Sequence, residues 1–336
     1  MRKQLTTLAA ADAALALSGA AQAQTKIVIG IPTSPPNIVH MPPIVAAELG
    51  LYKKAGLDVE IVSLGDGTKV YRALLAGNID FGLTPGAPTI IGTSNGANVK
   101  ALSANLPKFE ASMVVREDIK TLADLKGKRI GIQEPGGFAD ILSRSVLRAA
   151  KIDPKDVNFV SIASEDVPAL VANQVDTAIL HVEQVVMAQA KLPSLHPIAQ
   201  LWEVQPKNLN TAMAVTEKTI AAKRDALQAF VKANIEATRL IYTDKAKVLP
   251  AVVKYTQLPK DVVEKSLDYM IANCIWDPDS GLGRGRIDFT ADLMVKVGNI
   301  PADKHPKYED LVDASFADAA LKELGAWKGP NCMPDK

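Results

Sequence analysis

Residues 128–140 read Lys128-Arg-Ile-Gly-Ile-Gln-Glu-Pro-Gly-Gly-Phe-Ala-Asp140. Arg129 to Gln133 alternates apolar and polar residues as a strand does, and Pro135-Gly136-Gly137 breaks the run. Phe138, Ile141, Leu142, Val146 and Leu147 then recur at helical spacing. The pattern predicts a strand, a tight turn and a helix. Two glycines just ahead of a helix N-terminus leave bare backbone N–H groups beside the positive end of the helix dipole, a place for a carboxylate, sulfonate or phosphate oxygen. The same turn serves equally as a connection that binds nothing, so its meaning depends on the chain built around it.

Upstream, Met1-Arg2-Lys3, an Ala/Leu-rich run and Ser18-Gly19-Ala20-Ala21-Gln22-Ala23 have the basic start, apolar centre and Ala-x-Ala end of a secretory signal peptide. Residues 1–23 are expected to be removed by a cut after Ala23, despite Asp12 in the apolar stretch. A short amphipathic helix of the mature fold is the other reading of this segment. The cut takes two of the 38 basic residues and one of the 37 acidic ones, leaving a formally neutral chain. That balance argues against nucleic acid, which calls for a basic excess on some face. No later stretch reads as a membrane span, so a soluble exported protein is expected. Residues 24–336 suffice for two domains with aliphatic cores.

From Thr25 strands and helices alternate. Lys26–Ile31, Leu57–Val62 and Ile79–Leu83 read as strands, each followed by a turn-forming loop: Pro32–Asn37, Gly65–Gly67 and Thr84–Pro88. Between them, Pro42-Pro43 opens a helix running through Leu51, and Val70–Ala76 forms another. Such alternation predicts a mostly parallel sheet flanked by helices, with ligands beyond the carboxyl ends of the strands, where all three loops fall. The pattern restarts at Ala111–Asp118 and continues through 128–140, strand Val157–Ile162, helix Val167–Ala172, strand Val175–Leu180 and a helix from His181 to Lys191. Asn210–Glu217 then looks much like Ala111–Asp118. Two similar strands bracketing a whole β/α unit suggest a chain that crosses into an inserted domain and returns, leaving a cleft that can hinge. Ala226–Tyr242, Val248–Tyr255 and Val262–Ala272 show helical spacing in the tail.

The run Val45-Ala-Ala-Glu-Leu-Gly-Leu-Tyr-Lys-Lys-Ala-Gly-Leu-Asp-Val-Glu60 resembles a signature of the solute-binding proteins of ABC importers, in the branch of sulfonate, taurine, nitrate and thiamine-precursor binders. Leu74–Gly82, Leu122–Gly131 and Val175–Leu180 match three further segments of that family in order, so the resemblance spans Thr25 to Thr243 and thins beyond Asn273. It implies an α/β, type II periplasmic-binding fold of two lobes, each a mostly parallel sheet flanked by helices, joined by two crossing strands. Lobe 1 comprises 24–112 and 211–336, and lobe 2 comprises 113–210. The resemblance also implies a monomeric periplasmic protein without cofactor or metal. Its ligand would be a small organic anion, delivered to an ABC permease and its ATPase, and the permease would be its only membrane contact.

The family's contact loops coincide with those read from the residues. They place Thr33, Ser34, Asn37 and His40 on the first loop, Asp66 and Gly67 on the second, and Thr84 and Pro85 on the third. Gly136, Gly137 and Phe138 stand on the inserted lobe. Where relatives often carry Ser or Thr after the glycine, Gly137 and Phe138 offer an aromatic wall instead, with the Gly137 and Phe138 N–H groups expected on the anion. His181-Val182-Glu183 replaces a Trp-Glu-Pro-like segment, which puts His181 and Glu183 at the site, and His181 could pair with an acid or donate to a carboxylate. For both His40 and His181 a purely structural role stays open.

Catalytic chemistry has little support. The four histidines, His40, His181, His196 and His305, are scattered, and only His181 and Glu183 lie close in sequence, well short of a metal set. No Gly-x-Ser-x-Gly, His-Glu-x-x-His or P-loop pattern occurs. Gly281-Leu-Gly-Arg-Gly-Arg286 follows a turn cluster and reads as an ordinary loop. A fungal-type thiamine-pyrimidine synthase shares the implied fold but carries a cysteine-rich segment, whereas this chain has two cysteines, Cys274 and Cys332. An exported ligand-sensing module is the third reading. In an oxidising compartment Cys274 and Cys332 are expected to form a disulfide.

Overall fold

The computed structural model describes residues 24–135, 137–162 and 166–332. The expected signal peptide and Gly136 lie outside the described residues. Strand β1 (Thr25–Ile31) pairs in parallel with β2 (Leu57–Ser63) and β3 (Phe81–Pro85), and a sheet of order β2-β1-β3-β10-β4 is completed by β4 (Val99–Ser103) and β10 (Thr211–Thr216). A second sheet has order β7-β6-β8-β5-β9, from β5 (Ser112–Val115), β6 (Arg129–Ile132), β7 (Asn158–Ser161), β8 (Thr177–Leu180) and β9 (His196–Gln200). In the first sheet β10 runs antiparallel to β3 and β4, and in the second β5 runs antiparallel to β8 and β9. The two segments that look alike in sequence therefore fill the same slot, the single reversed strand of each mostly parallel sheet. The inner reversed strands are buried on both faces, hence their largely apolar runs.

Helices α1 (Met41–Glu48), α2 (Leu51–Lys54), α3 (Gly67–Leu75) and α4 (Gly86–Ser94) belong to the first sheet. Helices α5 (Phe138–Ala149), α6 (Asp166–Val171), α7 (Val182–Lys191) and α8 (Leu201–Val204) belong to the second. After the return come α9 (Glu217–Thr243), α10 (Lys245–Thr256), α11 (Lys260–Ala272), α12 (Arg284–Lys296), α13 (Tyr308–Leu311) and α14 (Ser315–Leu324). Helices α9, α10 and α11 close over the first sheet, where Phe230 stacks between Tyr52 (ring centroids 5.0 Å) and Phe81 (4.2 Å) in a largely aliphatic core that also buries Trp276 and Phe316. The second sheet has its own core around Met113, Ile130, Leu142 and Ile179. No described helix is long and apolar enough to cross a membrane.

The chain passes between sheets over residues 104–111 and 201–210. The two passages are tied together, since Asn210 N–H donates to the Pro107 carbonyl at 3.0 Å and Thr211 N–H to Leu106 at 3.1 Å.

Several sequence expectations need correction. The helix expected to run from Pro42 through Leu51 divides in two, because Gly50 turns the chain at φ 71°. The third loop is shorter than expected: Thr84 and Pro85 end β3, and Gly86 starts α4, with Pro88 in the first turn where its missing N–H costs nothing. Edge strands β4 and β9 went unread; β9 carries Pro197, which only an edge position tolerates. Gly281–Arg286 is only half a loop, since Arg284 to Arg286 are the first turn of α12. Gly281, at φ 67°, passes so close to the first crossing segment that a Cβ would lie 1.7 Å from the Ala104 carbonyl oxygen.

Candidate functional site

The carboxyl ends of β1, β2 and β3 bring their three loops together as expected. A Cβ on Gly67 would stand 2.6 Å from Pro85 Cγ and 3.9 Å from Pro32 Cβ, so the bare glycine is what lets the second loop pack between the first and third. Several candidate side chains here serve the loops themselves. Asp66 is exposed and caps α3, accepting from Lys69 N–H at 2.9 Å. Thr84 is wholly buried; its hydroxyl donates to the Ala212 carbonyl and accepts from Thr89 at 2.8 Å. Ser34 is exposed and precedes a cis peptide to Pro35. Thr33 accepts from Asn37 N–H at 3.0 Å and meets His40 Nδ1 at 3.1 Å, which turns the buried His40 ring inward.

The second lobe contributes three pieces. Phe138 opens α5 and stays half-exposed; its ring lies parallel to the His181 imidazole, centroids 5.2 Å apart and planes 13° from parallel. His181 follows β8 and stands at the N-cap of α7, its own N–H donating to Gln184 Oε1 at 2.8 Å. Its Nδ1 is hydrogen-bonded to the carboxylate of Glu110, a residue of the first crossing segment that is 2% exposed. The other Glu110 oxygen faces Asn210 Nδ2, at 3.5 Å, on the second crossing segment. Gln133, at the end of β6, donates to Asp166 at 2.6 Å.

The start of α7 also reaches the first lobe. Val182 is buried within the core cluster that contains Ile38 and Val39, and the backbone N–H of Ile38 favours the charged form of the Glu183 carboxylate. Helix α7 packs against α11 of the first lobe. Three consecutive residues thus do three jobs, His181 facing the crossing segment and Phe138 while Val182 and Glu183 anchor the lobes to one another.

Burial and charge set the protonation of this group. Burial alone would lower His181, but attraction and hydrogen bonding from Glu110, with help from Glu183 and Asp166, push it up to about 9. Burial would raise Glu110, yet the charge and hydrogen bond of His181 hold it below the usual carboxylate range. His181 and Glu110 are therefore an ion pair at neutral pH, with Nδ1 donating. Burial raises both Glu183 and Asp166, against the opposing charge of His181. Burial pushes His40 down to about 4, opposed by Glu110 and reinforced by His181, so His40 is neutral. Glu183 Oε2 is buried with no hydrogen-bond partner among the described residues.

Of the residues named from sequence, the structure brings together His40, Thr33, Phe138, His181 and Glu183. Asn37 supports Thr33, while Asp66, Gly67, Thr84 and Pro85 hold the loop framework. Gly137 corrects an expectation: its N–H donates to the Glu134 carbonyl at 3.1 Å and is already committed. Sequence reading missed Glu110, Asp166 and Gln133. His196 and His305 lie elsewhere, the first bonded to carbonyls of Ser194 and Ile119, the second to Asp292.

Two five-stranded mixed sheets joined by a double crossing, with loops facing one another at their carboxyl edges, define a periplasmic-binding-protein-like fold. Residues 37–247 match the family described as NMT1/THI5 like, and the chain belongs to that family. A Bacillus subtilis protein that carries the name of a binding protein, YtlA, is 25% identical over 319 residues, 92% of this chain and 94% of its own. A Legionella pneumophila protein named 4-amino-5-hydroxymethyl-2-methylpyrimidine phosphate synthase is 26% identical over 145 residues, 43% of this chain and 45% of its own. Among solved structures, the periplasmic aliphatic sulphonate binding protein SsuA from Escherichia coli superposes with a TM-score of 0.68 at 19% identity, over 86% of this chain and 97% of that one. That likeness is one of fold.

Proposed function

We propose that this chain is an exported solute-binding protein that captures a small organic anion, a sulfonate or carboxylate, between its lobes and delivers it to an ABC permease and its ATPase. The observation that carries this reading is His181, bonded to the Glu110 carboxylate and stacked on the half-exposed Phe138 where the two lobes and both crossing segments meet. A binder rather than an enzyme is favoured because the relative named as a binding protein aligns along nearly the whole chain, while the one named as a synthase aligns over less than half. The lobes are taken as 24–112 with 211–336 and as 113–210, a division supported by the two separate sheets, whose strands it keeps whole apart from Ser112 at the start of β5. Signal-peptide cleavage after Ala23, a periplasmic location and a monomeric state belong to the same proposal.

A thermal-shift screen of small sulfonates and carboxylates against residues 24–336 tests it. A ligand present at about 100 times its dissociation constant stabilises by about 2.7 kcal/mol. The expected result is a saturable shift with at least one acid and none with its neutral amide. Shifts with neutral amides alone would overturn the anion reading.

A further inference from the structure

We propose, resting on the reading of this cleft as an anion receptor, that Glu110 is a positioning residue that fixes the His181 ring as a charged hydrogen-bond donor for the ligand's anionic head. Glu110 lies on neither lobe's contact loops; it sits on the first crossing segment, where the two passages between lobes are hydrogen-bonded to one another. It is buried, and its two oxygens are spread between His181 Nδ1 and Asn210 Nδ2. The imidazole is held in two directions, in its plane by the carboxylate at Nδ1 and across its plane by the Phe138 ring. Nε2 has no hydrogen-bond partner among the described residues, and the His181 side chain is 26% exposed, enough for one edge to meet a ligand.

The surroundings explain why the cleft needs this device. The cationic side chains at the crossing segments are bonded to backbone carbonyls: Lys108 Nζ to Asn273, and Arg286 to Pro107 and Asn208, while Lys108 gives Asn210 Nδ2 its own carbonyl. Besides Glu110, His181 faces Glu183 on its own helix, Asp166 at the start of α6 and His40 of the first lobe. Burial raises both of those acids, and His40 is neutral, so neither lends an anion a positive charge. A neutral His181 would offer a ligand's negative head an uncharged donor, whereas a donor with full charge makes a hydrogen bond about twice as strong.

The test has two arms. Nuclear magnetic resonance of the His181 Cε1 resonance, assigned with His181→Gln, follows its titration without ligand. Wild-type His181 should stay charged to about pH 9, and in Glu110→Gln it should titrate near or below the ordinary value of about 6.5. Glu110→Asp should restore much of the difference. Calorimetry with benzenesulfonate, whose charge is constant over the range, reads the consequence. Wild-type affinity should be flat from pH 6 to 8 and fall above 9, while Glu110→Gln should bind at least about tenfold more weakly at pH 8 and recover toward pH 5. Wild-type His181 titrating near 6.5 would overturn the proposal, and needs no variant to fold. So would a pH profile identical in wild type and folded Glu110→Gln. Failure of the wild type to bind benzenesulfonate or any other acid would count instead against the anion-receptor reading, while the ligand-free titration still decides the bond between Glu110 and His181.

Discussion

The Phe138 ring covers one face of the His181 imidazole at 5.2 Å, so the only aromatic residue at the start of α5 is spent on a histidine across the cleft loops. Parallel aromatic pairs contribute about 0.5–1.5 kcal/mol beyond their buried area. Phe138→Ala should therefore loosen His181 and weaken acid binding by roughly three- to tenfold. Because Phe138 is 42% exposed, circular dichroism and the unfolding midpoint should barely change. Calorimetric titration of the variant with the best acid from the screen checks both halves; an unaltered affinity would detach Phe138 from the site.

Gly137 behaves differently from what its place before a helix suggests. A Cβ there would meet Glu134 Cγ at 3.0 Å and the Glu134 carbonyl oxygen at 3.2 Å, and the backbone is in the ordinary extended region at φ −77°. Gly137→Ala should press only on the turn, costing stability less than about 1 kcal/mol and changing acid affinity less than about twofold. Urea unfolding and calorimetry read the two effects. A tenfold loss of affinity without loss of stability would restore the turn as the anion's direct seat.

Stability should fall on both sides of neutrality, for different histidines. His181 is raised above its unfolded value, so its contribution is fully present below about pH 6.5 and is lost as pH climbs through about 9. His40 is depressed, so its contribution is present above about pH 6.5 and is lost as pH falls through about 4. Denaturant unfolding at pH 4.5, 7 and 9.5 should show a maximum at the middle value. His40→Gln should flatten the acid limb and Glu110→Gln the alkaline one; limbs unmoved by these changes would mean other groups set the profile.

Cys274 and Cys332 stand as a pair, with Cα atoms 4.9 Å apart and a sequence separation of 58. A disulfide here ties the segment after α14 to the end of α11. On a chain-entropy basis, closing a loop of this length is worth about 4 kcal/mol. Non-reducing alkylation and mass spectrometry should find neither cysteine modified in the exported protein, and reduction should lower the melting temperature by several degrees. Two alkylated cysteines in native protein would refute the pairing.

The sheet-forming segments were legible because each strand is short, apolar and closed by a turn of Pro, Gly or Asn, and because β5 and β10 share one environment and so one composition. Two of the four edge strands were not. Val99–Ser103 and His196–Gln200 carry no strict alternation and the second contains Pro197, whereas β2, equally an edge, alternates Leu57, Val59 and Ile61 with polar residues and could be read. At the site, Phe138, His181, Glu183 and His40 could be named because they stand next to turn signals or break an apolar run. Glu110 could not, since its partner lies 71 residues away and nothing local in the sequence reports that pairing. The framework roles of Asp66 and Thr84 were illegible for a related reason. A capping acid and a buried hydroxyl use the same residue types as a ligand contact, and only the hydrogen bonds to Lys69, Ala212 and Thr89 distinguish them.

The account stands most directly on the charge of one imidazole meeting an anion. Calorimetric titration of the strongest-binding acid into wild type and His181→Gln at pH 7, with circular dichroism to confirm folding, measures that contact. Loss of a charge-assisted hydrogen bond worth roughly 1.5–3 kcal/mol should weaken binding at least about tenfold. Equal affinity in a folded His181→Gln protein would place the anion elsewhere and contradict the account.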